Sequence, residues 1–150
     1  AADHHTRSVG GLGQSCQQLA AHFNLDVVLI DTDAGLPPSS LACLAAAPSA
    51  LLVLKLKKQK YKEAERTAYV VEHLAVMQRR LMVNLASPSL DPAQVQTQVT
   101  QSFGWEVAGI TPYCDELMAL GSASLFVVRY PVHPVTAIFG RIAQQLATPL

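Results

Sequence analysis

Four short runs are apolar almost throughout: VVLID (27–31), ALLVLKL (50–56), RLMVN (80–84) and EVAGI (106–110). Continuous apolar character without alternation is what a strand covered on both faces requires. FVV (126–128) predicts a short fifth strand. Between these runs the period lengthens. LGQSCQQLAAHFN (12–24) predicts a short helix ending near Asn24, and Pro37-Pro38 opens a helix over 36–47. Ala64, Ala68, Val71 and Ala75 recur at helical spacing, with Lys62, Glu63, Glu65, Arg66 and Glu72 off that stripe. Asp91 precedes Pro92 as a cap precedes a first helical proline, and Val95, Val99 and Phe103 follow on one face. Val135, Ile138, Phe139, Ile142, Ala143 and Leu146 form the cleanest stripe of the chain.

Strands alternating with helices of this length imply right-handed crossovers and a mostly parallel sheet with helices on both faces. The expected class is α/β, as one domain over 1–150. Sheets of this kind bind ligands beyond the carboxyl ends of their strands. Asp31, Asn84 and Thr111-Pro112 fall at such ends.

Composition narrows the picture. Half the residues are apolar and 15% are charged, which excludes a disordered chain. Eleven basic residues balance eleven acidic ones, so no global charge points to nucleic acid. Cys16, Cys43 and Cys114 are odd in number, widely spaced and without a CxxC pair, the usage of reduced thiols in the cytosol. LACLAAAPSALLVL is broken by Pro48 and too short to span a bilayer. AADHHTRSVGG carries no apolar signal core and no initiator Met, so the chain is expected to be a processed, trimmed or excised piece of something longer.

For the candidate chemistry, Asp31 offers a carboxylate that can hold Mg²⁺ through water, with Gly35 placed to bring a backbone N–H near a γ-phosphate. The plainer reading is an aspartate capping the next turn or helix. Asp33 could supplement that site, but is expected to cap the 36–47 helix instead. SVGGLGQS (8–15) imitates a phosphate loop, but Gln14 stands where a lysine must be, and no apolar strand precedes it. That loop is therefore rejected as inactive, its glycines forming at most a turn. KLKKQKYK (55–62) holds five lysines; a solvated strand-to-helix junction explains them, with weak contact to an anionic surface through Lys55, Lys57, Lys58 and Lys60 as the sharper option. His4, His5, His22, His73 and His133 form no HxxxH or HExxH pair, so a histidine metal site is not expected, and no Ser/His/Asp or Cys/His arrangement stands out. Phe103 and Trp105 read as core.

Taken in order, DVVLIDTDAGL, ALLVLKL, RLMVNLAS, VAGITPYCDE and RYPVHPVTAIFGRIAQQL resemble the second part of the ParA/MinD group of P-loop ATPases, most closely its MinD and FlhG/FleN branches. The resemblance runs from about residue 25 to the end. It implies a Rossmann-like P-loop NTPase fold lacking its N-terminal βα units, with ATP and Mg²⁺ as the family's cofactors. Asp31 would correspond to the magnesium-associated aspartate of Walker B and Gly35 to the switch glycine. Asn84 would contact adenine, and Pro112 and Asp115 would line the adenine pocket. His133 stands where the family commonly has serine. A homodimer, a protein partner or cargo, and a cytoplasmic location reaching the inner membrane face are further implications. The sequence also departs from the family: no KGGxGKT loop lies among the 26 residues before Val27, KLKKQK replaces the usual turn after the second strand, Leu85 stands where arginine often follows the asparagine, and no basic membrane helix follows the core helix. Two functions therefore stand open, the C-terminal part of a positioning ATPase that cannot hydrolyse ATP by itself, or a non-enzymatic interaction module. A receiver-like domain with Asp31 as phosphoacceptor is a third reading.

Overall fold

A computed structural model of the chain describes residues 2–74 and 76–147, with side chains from residue 11 onward. In chain order the elements are α1 (Ala2–Phe23), α2 (Pro38–Ala46), β1 (Ser49–Leu54), α3 (Lys58–Glu72), β2 (Gln78–Ala86), α4 (Pro92–Phe103), β3 (Glu106–Pro112), α5 (Asp115–Leu120), α6 (Phe126–Arg129) and α7 (Pro134–Ala147). The fold is α/β, with a three-stranded parallel sheet in the order β1-β2-β3 flanked by helices. Two compact units divide the chain: Ala1–Ala50 with Arg66–Gln78, and Leu51–Glu65 with Arg79–Leu150.

In the first unit α1 is longer than its apolar pattern predicts and takes in SVGGLGQS. Those glycines form neither a phosphate loop nor a turn; they lie within a helix, and Ser15 Oγ donates to the Gly11 carbonyl at 2.8 Å. The helix stops where expected. Asn24 adopts a left-handed φ of 51°, and the Leu25 N–H reaches back to the Ala20 carbonyl at 2.8 Å. α1 packs on α2, which starts with Pro38 in its first turn. Asp33 does not cap α2 with its carboxylate; its backbone carbonyl instead accepts from the buried Ser40 hydroxyl at 3.4 Å.

The expected strand at 27–31 is a correction. Residues 25–33 are irregular and exposed, with Val27 56% and Leu29 86% accessible. A strand buried on both faces needs ladder partners and covering helices, and no strand among the described residues pairs with this run.

In the second unit Leu81, Met82 and Val83 are consecutive and all buried, so β2 is covered on both faces. β2 and β3 pair in parallel from Arg80↔Glu106 to Ala86↔Pro112. Asp91 caps α4 by accepting from the Ala93 N–H at 3.0 Å, and Gly104 closes it at φ 67°. Val95, Val99, Phe103 and Trp105 are buried as expected, with the Arg79 guanidinium 5.9 Å over the Trp105 ring. Ala64 of α3 is buried in this unit and Ala68 and Val71 in the first, whereas Ala75 lies outside the described residues. The side chains of Lys55, Lys57, Lys58, Lys60 and Lys62 are exposed, and Lys60 pairs with Glu63 at 2.7 Å.

FVV (126–128) is a turn of helix, α6, and not a strand. Only Phe126 of the three is buried; a strand would have turned Phe126 and Val128 to one face, and Val128 is exposed. α7 lies on β3, where Met82, Ala108 and Ile142 form a core extended by Leu51, Ile138, Phe139 and Leu146. Gly109 permits the close approach, since a Cβ there would stand 2.7 Å from Ile142 Cδ1 and 3.1 Å from Ile138 Cγ2.

Gly109→Ala should therefore cost about 1–3 kcal/mol of stability. Ile142→Val, which removes Cδ1, should recover part of that loss when combined with it, as read from denaturant midpoints. The Tyr61 ring meets Phe103 edge-on at 5.1 Å, but its hydroxyl is buried with no hydrogen-bond partner. Tyr61→Phe is expected to leave stability unchanged or raise it by about 1 kcal/mol, and a fall of that size would show that the hydroxyl is satisfied in solution.

Candidate functional site

Asp31 and Gly35 belong to the first unit, on the exposed irregular segment that precedes α2. Gly35 has a left-handed φ of 92°, a conformation that favours glycine, so the chain turns there before Pro37. Asn84, Pro112 and Asp115 belong to the second unit.

Within that second unit the carboxyl ends of β2 and β3 stand side by side, and the register between them is irregular. Val83 pairs with Ile110 and Ala86 with Pro112, so β2 carries one more residue than β3 over this span. Leu85 takes up the excess at φ 56°, a left-handed conformation that costs a leucine about 1–2 kcal/mol. Bulges of this kind re-aim side chains at strand ends. Asn84 is the residue re-aimed. Its Oδ1 accepts from the fully buried Thr111 Oγ1 at 2.8 Å, which leaves the amide NH₂ as the group it presents. Pro112 closes the ladder, the Tyr113 N–H bonds the Ala86 carbonyl at 2.8 Å, and Asp115 opens α5 as an exposed carboxylate. A cavity of about 740 Å³ runs along β3 and the start of α4 to α7. Pro112 lines it; Asn84 and Asp115 do not.

A second constellation was not visible in the sequence. Cys114, Glu116 and His133 converge where β3 gives way to α5 and where α7 begins. Cys114 is buried with Phe126 and Val135, in a cluster completed by Leu117, Leu120, Tyr130 and Phe139. Its Sγ lies 3.0 Å from Glu116 Oε2, as donor, and 3.9 Å from His133 Nε2. The thiol proton on Glu116 holds that exposed carboxyl below its ordinary range. Phe126 meets the His133 ring edge-on at 5.2 Å.

His133 also caps α7. Its Nδ1 accepts the Val135 N–H at 3.1 Å, and its carbonyl accepts from Thr136 N–H at 2.9 Å. An imidazole can do here what serine does at an N-cap, because Nδ1 sits at similar reach. An accepting Nδ1 leaves the proton of the neutral ring on Nε2, directed at Cys114 Sγ. The sequence signal was PVHP with histidine in a capping position, but the 19 residues to Cys114 follow no ligand spacing, because α5, α6 and a turn intervene. Among the described residues, three or more side chains suited to one metal ion gather at this place, and Asp31 is not among them.

No protein-family model and no curated protein sequence matches the chain. Solved structures do. The MinD cell division protein of Aquifex aeolicus superposes with a TM-score of 0.75 at 17% identity, over 95% of this chain and 62% of that one. A chain of the MinC:MinD cell division protein complex from the same organism gives 0.73 at 16%, over 95% and 60%. The fold is MinD-like. The chain spans less than two thirds of the length of either structure. At these identities the likeness is one of architecture, and no helix among the described residues is long and apolar enough to cross a membrane.

Because His133 caps α7, His133→Ala should lower stability by about 1 kcal/mol, and His133→Asn, which keeps a side-chain acceptor, should recover more than half of it in urea titrations.

Proposed function

We propose that this chain is the C-terminal part of a MinD-like, ATP-dependent positioning ATPase. It would carry the adenine end and the metal-associated aspartate of a nucleotide site whose phosphate grip lies outside these residues. The observation that carries this reading is the unpaired run at 27–30. Val27, Val28, Leu29 and Ile30 are all exposed, in a chain whose fold otherwise matches MinD. An apolar run of this strength, ending in Asp31, is what a central strand looks like when the strands that flank it are elsewhere.

The residues present fit part of the nucleotide. Asn84, its Oδ1 held by Thr111, offers an NH₂ donor suited to a ring nitrogen of adenine. A single carboxylate such as Asp31 suits Mg²⁺, which keeps most of its waters. The triphosphate has no counterpart here. Residues 8–15 are helical, so most of their N–H groups are spent on helix bonds, and Gln14 carries no charge to offset a γ-phosphate. These 150 residues are therefore assigned binding and positioning roles, and no hydrolytic step. A homodimer, a protein partner and recruitment to the inner membrane face belong to the same proposal, in keeping with the family resemblance.

The helical state of SVGGLGQS supports a second reading, a non-enzymatic interaction module that has given up nucleotide. Hydrolysis separates the two readings, and calorimetry tests what they share. In the polypeptide that joins this chain to a phosphate-gripping half, Asp31→Ala should lower ATP hydrolysis at least about 100-fold, and normal turnover in that variant would overturn the ATPase assignment. Calorimetry on the 150 residues alone should show no micromolar binding of ATP with Mg²⁺; heat at that level would overturn the division of the site.

A further inference from the structure

We infer that Cys114, Glu116 and His133 form a binding site for one Zn²⁺ ion, independent of the nucleotide reading. The three potential ligand atoms, Sγ, a carboxylate oxygen and an imidazole nitrogen, all lie within 4.8 Å of one another. Around tetrahedral zinc, bonds of about 2.3 Å to sulfur and about 2.1 Å to nitrogen or oxygen place ligand atoms about 3.5 Å apart. The observed separations bracket that value. Sγ to Oε2, at 3.0 Å, must open by about 0.5 Å. Sγ to Nε2, at 3.9 Å, must close by slightly less. Rotation of the exposed Glu116 side chain suffices for the first, and a small turn of the half-buried His133 ring supplies the second.

The donor set selects the metal. A thiolate, an imidazole and a carboxylate suit zinc in preference to Mg²⁺ or Ca²⁺, which take oxygen ligands. One thiolate and one carboxylate neutralise the ion, so no net charge is placed beside the apolar wall of Phe126, Val135 and Leu117. Three protein ligands leave a fourth position, on the side where Glu116 meets solvent.

The protons balance as follows. Cys114 releases its thiol proton to solvent as sulfur binds the ion. The Nε2 proton of His133 leaves so that Nε2 can coordinate, and the ring is reprotonated at Nδ1. That tautomer no longer accepts the Val135 N–H, so zinc trades away the cap of α7. A single cap contributes roughly a factor of five to ten to stability, small beside the affinity that three zinc ligands supply. Binding and capping are thereby coupled through one ring.

The test uses the full chain, reduced with a non-chelating phosphine and titrated with Co²⁺ as a spectroscopic substitute for zinc. The expected result is one Co²⁺ per chain with a sulfur-to-cobalt charge-transfer band and tetrahedral visible bands, displaced by stoichiometric Zn²⁺. Cys114→Ser should abolish the charge-transfer band, and both Cys114→Ser and His133→Asn should weaken binding at least about 100-fold. His133→Asn keeps a capping side chain, so it removes the ligand without removing the helix start. Circular dichroism checks that each variant is folded. Absence of the sulfur band, or a band and affinity unchanged in these variants, overturns the site and assigns any residual metal to other groups such as the His4-His5 pair.

Discussion

The second unit rests on how closely α7 can approach β3, and Gly109 sets that distance. With hydrogen in place of Cβ, the strand accepts Ile142 and Ile138 against its backbone. The helix and the strand run in opposite directions, as Gln145 reaches the Ala108 carbonyl while Val135 packs with Cys114. From Gly109 to Cys114 an extended chain covers about 16 Å, and from Ile142 back to His133 a helix covers about 13 Å. The two spans match closely enough that fixing one end fixes the other. The start of α7 is thereby held beside the residue that follows β3, and a cap and a buried thiol meet.

The same unit holds a second strained feature, for a different purpose. Between Val83 and Ala86, β2 carries an extra residue, with Leu85 in a left-handed conformation that leucine adopts only when its surroundings impose it. The neighbouring ladder, the Thr111 hydroxyl and the Tyr113 N–H bond to Ala86 together impose it. The outcome is an Asn84 whose acceptor is occupied and whose donors are presented. This is a preorganised polar group at the end of two parallel strands, where such folds place their ligands.

The first unit supplies the contrast. Its run VVLI has the composition of a central strand but the exposure of a loop, and what it lacks is a pairing partner. Apolar residues do not create a strand; a ladder does, and the hydrogen bonds that define it come from another segment. The glycines of SVGGLGQS make the complementary point, since a glycine-rich stretch that imitates a phosphate loop sits here within a helix.

Much of the fold was legible in the sequence. Continuous apolar runs located β1, β2 and β3, and the helical spacing of apolar residues located α4 and α7, because helix spacing is fixed by backbone geometry. Local chemistry marked the ends, with Asp91-Pro92 opening α4 and Asn24 ending α1. FVV misled because three apolar residues fit a turn of helix as well as a strand, and packing chose between them. Asn84 and Pro112 were expected near strand ends from the order of elements, and they lie in the last residues of β2 and β3. Cys114, Glu116 and His133 were not expected to meet, because the 19 residues from Cys114 to His133 encode no periodic relation. Local propensity, caps and buried faces follow from the sequence by itself, since neighbours in the chain determine them. Which strand finds a partner, and which distant side chains meet, only the tertiary structure decided, because the partners lie far apart in the chain.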